Sequence, residues 1–112
     1  MATEARHAGE FIVSEGNGVI SRDTITIASG QVLPAGAVLG KVTASGLYAA
    51  YNNSATDGTE VAAAILYDAV DATAGNKRAV AITRLAEVDA KALTGLDADA
   101  VADLAAQQII VR

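Results

Sequence analysis

Apolar and polar residues alternate along several short segments of this chain, which is the pattern of half-buried β-strands. In Thr24-Ile25-Thr26-Ile27 both isoleucines fall on one face, and the β-branched side chains favour an extended backbone. The pattern predicts further strands over residues 38–43, 47–51, 61–67 and 78–83. The apolar segment 109–111 is predicted as a last strand, tucked into the sheet.

One segment has the features of a helix. In DADAVADLAAQQ, residues 97–108, Asp97 can cap the first turn, where the negative charge of Asp99 favours the exposed N–H groups. Val101, Leu104 and Ala105 recur at helical spacing and predict a narrow buried stripe. We therefore expect a short C-terminal helix with one buried side.

The stretch GAVLGKVTASG, residues 36–46, has the two glycines and the lysine of a phosphate-binding loop but not their spacing. That motif needs four residues between its glycines and a hydroxyl directly after the lysine, whereas three residues and a valine stand here. We interpret the stretch as a strand in which Gly40 marks a bulge or a close backbone approach and Lys41 is solvated. The preceding LPAG, with Pro34 second and Gly36 fourth, is predicted as a turn.

These elements predict a mainly β (α+β) fold: a single β-rich domain over residues 21–112 preceded by an extended arm over residues 1–20. The arm is polar and glycine-containing apart from one apolar run, Phe11-Ile12-Val13. Hydrophobic residues make up 52% of the 112-residue chain, but aromatic residues are only 4%, so each buried side chain removes little area from water. We therefore expect a thin core supplemented by self-association.

Charge and composition argue against several classes of partner. The net charge of −5 opposes a large contact with nucleic acid or anionic lipid. No apolar run approaches the roughly 20 residues of a membrane span, and the first residues lack the apolar block of a secretion signal, so we expect synthesis in the cytoplasm. With no cysteine, the chain can form neither disulfides nor a thiolate metal site.

The candidate chemical groups do not converge on a site. His7 is the only histidine and has no second ligand or proton-relay partner in its segment. Asp97, Asp99 and Asp103 lack the calcium-loop pattern, and the polar residues of 52–60 are typical of turns. The serines lack a nucleophile elbow. We accordingly expect no catalytic, metal or cofactor site.

Three blocks of the sequence carry a family resemblance. The runs SRDTITIASGQVLPAGAVLGKVTASGLY and ATDGTEVAAAILYDAVDATAGNKRAVAITRLAEVD, with the ending IIVR, resemble the head decoration proteins of tailed bacteriophages, typified by that of phage lambda. The resemblance runs from about Ser21 to Arg112 and is weak in the first twenty residues.

The resemblance implies a small β-clip-like barrel or sheet and no catalysis. It implies homotrimers on the outer surface of the expanded virion capsid, where they cement the shell against DNA pressure. The implied partner is the major capsid protein of the same phage, which the N-terminal arm contacts by strand pairing. Phe11, Ile12 and Val13 are the candidate capsid-binding residues, because an extended apolar segment can add to an open sheet edge.

Two other functions remain open at this point. The LPAGAVLGKV hairpin also resembles β-clip modules of carbohydrate-acting enzymes and periplasmic chaperones, which would make the protein a small-ligand or carbohydrate-binding module. Such a module needs a lined pocket, and Tyr48, Tyr51 and Tyr67 are better explained by packing. A small hydrolase or phosphotransferase would need Lys41 or Asp57 at a nucleotide.

Overall fold

The computed structural model of the protein describes residue 9, residues 11–15 and residues 20–112. Within them the chain forms ten strands, one α-helix and one short 3₁₀ helix, Ala90–Ala92. Their bounds are β1 Ile12–Glu15, β2 Arg22–Ile27, β3 Val32–Leu33, β4 Val38–Lys41, β5 Tyr48–Ala50, β6 Ala62–Leu66, β7 Val70–Asp71, β8 Lys77–Ile82, β9 Ala86–Val88, α1 Ala98–Ala106 and β10 Ile109–Val111. The predicted fold class, mainly β with one short C-terminal helix, is confirmed.

Five of the strands close into a barrel in the order β2-β5-β4-β6-β8. β2 and β8 pair antiparallel over their full lengths, from Arg22 opposite Ile82 to Ile27 opposite Lys77, and this long-range pairing completes the closure. β3 and β7 form a separate two-stranded ribbon. No helix in the described residues is long and apolar enough to cross a membrane.

Alternation along the barrel strands divides the side chains between two cores. Neighbouring residues of one strand enter different cores: Leu39 and Leu66 lie in one cluster, while Val38 and Ile65 lie in the other. The first cluster consists of side chains that fill the barrel. The second lies between the barrel and an outer layer, so these strands are buried on both faces and can be apolar at consecutive positions.

The outer layer consists of α1 and a three-stranded sheet in the order β1-β9-β10, which we call the outer sheet. β1 pairs antiparallel with β9, and β10 pairs parallel with β9. Phe11, Val88, Leu104 and Ile109 are fully buried in the cluster between this layer and the barrel. The layer thus joins residues from both ends of the chain.

The predicted strands are all present, and Gly40 has both of the features expected of it. The pairing of β4 with β6 shifts register between Leu39 and Gly40. A Cβ on Gly40 would lie 2.5 Å from the Cα of Thr59, so only glycine fits against that backbone. Lys41 is exposed, and its ammonium lies 5.9 Å from the centre of the Tyr48 ring.

Two local predictions were wrong in detail. The turn hydrogen bond joins the carbonyl of Pro34 to the N–H of Ala37, so Pro34 is the first residue of the turn and Gly36, with φ +86°, the third. This is the position that favours glycine in a type II turn.

The second difference concerns α1. Its buried residues are Ala100 and Leu104, whereas Val101 and Ala105 are exposed. Asp103, beside the buried residues, accepts a hydrogen bond from the N–H of Ala62 in β6. The predicted stripe was wrong because a helix with apolar residues on several sides has no inward face that spacing alone can identify.

The described part of the predicted arm contacts the rest of the protein. Phe11 is 1% exposed, its carbonyl accepts a hydrogen bond from the N–H of Asp89, and β1 follows directly. The N–H of Gly9 donates to the carbonyl of Tyr67. His7 and the other residues of 1–8, 10 and 16–19 lie outside the described residues.

Candidate docking surface

The face of the outer sheet that points away from the barrel carries a polar group at its centre. Ser14, Glu87 and Ile110 lie side by side on β1, β9 and β10 and therefore share a face. The hydroxyl of Ser14 donates to Glu87 Oε2 at 2.7 Å, and Arg112 Nε donates to Glu87 Oε1 at 2.8 Å. Glu87 thereby links β1 to the residue that follows β10.

The Ser14 hydroxyl and the Arg112 guanidinium beside Glu87 hold the pKa of its carboxyl below the ordinary value. Glu87 is therefore ionised at neutral pH, and its charge is compensated by Arg112. The centre of the face is polar but carries no net charge from this pair, which lowers the cost of covering it with another protein.

Exposed apolar side chains surround this polar centre. Val13 is 57% exposed, Ile110 42% and Leu85 39%. Ile20, 51% exposed, is next to Ser21, whose hydroxyl donates to the carbonyl of Leu85 at 3.1 Å. These are four of the eight large hydrophobic residues exposed in the described part of the chain. We call the surface of Val13, Ser14, Ile20, Leu85, Glu87 and Ile110 the docking surface, because such clustering is typical of interaction sites.

Leu85 stands out further by its backbone. It has φ +54°, in the left-handed region, and Gln108 beside it has φ +63°. The carbonyl of Gln108 accepts a hydrogen bond from the N–H of Ala86, so the two unusual residues lie together where β9 and β10 begin. A left-handed leucine costs about 1–2 kcal/mol. In this conformation the side chain of Leu85 is 39% exposed.

The three predicted site residues have different environments. Phe11 is in the core, and Ile12 is half-buried against the same cluster. Only Val13 projects into solvent, at the irregularity where β1 shifts register against β9. β1 is an edge strand, and in the described residues its pairing partner is β9 alone.

Leu85 and Ile110 were not predicted as site residues, since an isolated exposed leucine or isoleucine has no distinctive pattern in the sequence.

The acidic residues considered for calcium bind protein groups instead. Asp97 caps α1, accepting from the N–H of Ala100 at 2.8 Å, and also accepts from the Tyr51 hydroxyl at 2.9 Å. Asn53 donates to Asp99 at 3.1 Å. The backbone hydrogen bond from Ala100 leads the effects that lower the pKa of Asp97. Burial, the hydrogen bond to Asp97 and nearby negative charges raise the pKa of Tyr51 to about 12.

Asp57 and Lys41, the side chains that a nucleotide-using enzyme would need, also contact neighbouring residues of the protein. Asp57 accepts from the hydroxyl of Thr59 at 2.6 Å and from its N–H, and the hydroxyl contact holds the pKa of Asp57 down. Lys41 lies over Tyr48.

The described surface has two depressions. One, of about 490 Å³, is lined by residues 71 and 74–78. The other, of about 350 Å³, is lined by residues 22–24 and 80. Neither has an aromatic lining residue of the kind that a sugar-binding site uses.

Comparison with protein families identifies the family of this chain. The model of the bacteriophage lambda head decoration protein D family matches residues 1–109 of the 112. The chain belongs to this family. The resemblance seen in the sequence is therefore confirmed, and the match also covers the first twenty residues, where that resemblance is weak. A search of curated proteins finds no match.

Membership in the head decoration family establishes a capsid decoration role and a location on the virion capsid. The protein associates with the phage capsid. The family is one of structural head proteins and is not a known enzyme family.

Proposed function

We propose that this decoration protein binds as homotrimers to the outside of the expanded phage head and cements it against the pressure of the packaged DNA. Its partner in this proposal is the major capsid protein of the same phage. The observation that carries the proposal is the docking surface: exposed apolar side chains cluster on a small sheet whose edge strand, β1, follows the N-terminal segment.

The edge of β1 supplies the main-chain part of the contact. An extended segment of the capsid protein that adds to this edge would form backbone hydrogen bonds, while Val13 and its apolar neighbours supply buried area. Phe11 has a supporting role: it attaches β1 to the core and remains covered.

A trimer converts a modest contact into a durable one. Once one subunit is bound, the other two meet their sites at a high effective concentration, so the combined affinity exceeds that of a single contact. Binding to the expanded shell in preference to the unexpanded shell stabilises the expanded state in proportion to the difference in affinity.

The test is co-sedimentation of the protein with undecorated shells of its own phage, before and after expansion. We expect the full chain to pellet with expanded shells only. Val13→Asp and Ile110→Asp should weaken pelleting at least tenfold, because each places a charge in the contact. Val32→Asp is the matched control, since Val32 is 66% exposed on the β3–β7 ribbon, away from the outer sheet.

Removal of the N-terminal segment needs a cut that spares the fold. Deleting residues 2–18 would also remove Phe11 and β1, so lost binding could reflect a damaged core. Deleting residues 2–8 leaves both in place.

Two outcomes would contradict the proposal. If the docking-surface variants bind expanded shells as well as Val32→Asp does, the proposed surface is wrong. If the folded full chain pellets with neither shell, the cementing role itself fails.

A further inference from the structure

Two residues of the docking surface lie where the barrel ends and the outer sheet begins. β2 and β8 pair along their full lengths, and beyond them the N–H of Thr83 donates to the carbonyl of Ser21 at 2.9 Å. Ile20 and Leu85 therefore lie on adjoining chain segments directly beyond the barrel strands. Both side chains are exposed.

The side chain of Arg84 connects these two segments. Its Nη1 donates to the carbonyl of Ile20 at 2.6 Å, and its Nη2 donates to the carboxylate of Asp23. That carboxylate also accepts a hydrogen bond from the Thr83 hydroxyl at 2.9 Å. Because a guanidinium is planar and its N–H groups have fixed directions, two partners on one segment determine how that segment lies relative to Arg84. Arg84 thereby fixes the backbone of Ile20 relative to residues 83–85.

Leu85 is held by contacts of its own in the same region. Ser21, which is fully buried, donates from its hydroxyl to the carbonyl of Leu85 at 3.1 Å. The next residue, Ala86, donates its N–H to the carbonyl of Gln108, and Leu85 has its left-handed backbone between these two contacts. Such a conformation in a residue other than glycine persists only where the surroundings determine it, and it is enriched at functional sites. The fold therefore holds an exposed leucine in one defined position.

Stability alone does not account for the contacts of Arg84. The side chains of Arg84 and Asp23 are 41% and 45% exposed, and ion pairs this exposed contribute little to the free energy of unfolding because water screens them. Their effect on geometry is larger, since they order two adjoining segments at the surface. Ordering a residue before it binds removes an entropic cost from the binding step.

We propose that Arg84 is a positioning residue for capsid binding: it holds Ile20 beside Leu85, so that the two apolar side chains meet the capsid protein as one preformed unit. This inference rests on the proposed function and adds to the docking surface a residue outside the apolar contact. Arg84 acts through Ile20 and Leu85 and not through a contact of its own with the capsid protein.

Arg84→Met tests the proposal, because methionine retains much of the length of the side chain and none of its donors. In co-sedimentation with expanded shells, the full-length variant should bind about threefold to tenfold more weakly, the loss expected when a side chain must be ordered on binding. Arg84→Lys keeps the charge and can keep one of the two contacts, so it should recover part of the affinity.

Arg78→Met is the matched control. It removes the same charge from an exposed residue of β8 that is not part of the docking surface, so it should bind shells as the unaltered chain does. The unfolding midpoints of Arg84→Met and Arg78→Met should both stay close to that of the unaltered chain, as expected for exposed charged residues. A loss of binding without a loss of stability separates positioning from a general effect on the fold.

A thermodynamic cycle separates positioning from direct contact. In a chain that carries both Ile20→Ala and Leu85→Ala, Arg84→Met should cause no further loss of binding, because the side chains that Arg84 positions are absent. An undiminished loss in that background would show that Arg84 itself contacts the shell, which overturns the proposal.

Backbone dynamics of the free protein give a measurement that does not depend on shells. The amide order parameter of Ile20, measured by NMR relaxation, should fall in Arg84→Met and stay unchanged in Arg78→Met. An Ile20 that is as ordered in Arg84→Met as in the unaltered chain contradicts the positioning. If the folded, unaltered chain does not pellet with expanded shells, the cementing role fails, and the order parameters still decide whether Arg84 fixes Ile20.

Discussion

At the scale of single residues, a few positions are set by contacts with chain segments far away. Gly40 is an example, since no positive φ requires a glycine there. The requirement comes from the backbone of Thr59, which leaves no space for a Cβ. Gly46 is the opposite case: its φ is +74°, but the nearest heavy atom to a Cβ would be 3.8 Å away.

This contrast yields a test of the barrel packing. Gly40→Ala should lower the free energy of unfolding by about 2–3 kcal/mol through overpacking, because the added Cβ would lie within 3 Å of three backbone atoms of Thr59. Gly46→Ala should cost about 1 kcal/mol for its left-handed backbone. Both values can be measured by denaturant unfolding. Equal or smaller destabilisation by Gly40→Ala would contradict the close approach of Thr59.

At the scale of elements, β1 belongs to the outer sheet and to the core at once. Phe11 inserts between the outer sheet and the barrel, and Ser14 hydrogen-bonds to Glu87 on the neighbouring strand. Val13, between them, contacts solvent. One short segment thus combines a structural residue with a candidate contact residue.

The two roles predict different effects of truncation. Phe11→Ala should lower the free energy of unfolding by about 3–5 kcal/mol, because it leaves a cavity in a fully buried site. Val13→Ala should change it by less than about 0.5 kcal/mol, as expected for an exposed position. Thermal or denaturant unfolding measures both. A harmless Phe11→Ala would mean that the segment does not pack on the body.

At the scale of the whole molecule, carboxylates hold separate elements together. Asp23 accepts hydrogen bonds from Thr83 and Arg84. Glu87 accepts from Ser14 on β1 and from Arg112 after β10. Asp97, which caps α1, accepts from the hydroxyl of Tyr51. In each case hydrogen bonds to the ionised form lower the pKa of the carboxyl, with Thr83, Ser14 and the N–H of Ala100 as the leading donors. Asp57 and Asp71 follow the same pattern with nearby threonines.

These shifts predict acid sensitivity. A carboxyl whose pKa is lower in the folded than in the unfolded protein stabilises the fold above its unfolded value, about 4, and loses that contribution as the pH falls through the folded value. The unfolding temperature should therefore be nearly constant from neutral pH to about pH 5 and fall below pH 4. Scanning calorimetry across this range tests it. A midpoint that rises on acidification would contradict the carboxylate network.

Local pattern predicted the helix and six of the ten strands in the described residues, all except β1, β3, β7 and β9. Alternation in Thr24-Ile25-Thr26-Ile27 defined a strand, and the aspartate before an alanine-rich run defined a capped helix, because both depend on neighbours in the chain. The approximate bounds of the last strand followed in the same way. The apolar Phe11-Ile12-Val13 run predicted an extended capsid-binding segment, and only the structure shows that this segment pairs with β9 and that its residues divide between core and surface.

The tertiary structure decided which side of each element is used. Helical spacing alone could not show that α1 buries Ala100 and Leu104 and exposes Val101, because a helix with apolar residues on several sides has no unique inward face. The site depended even more on distant contacts. Leu85, Ile110 and Val13 form one surface only because β9 pairs with strands from opposite ends of the chain, and pairing between such distant segments leaves no signal in any short stretch of sequence.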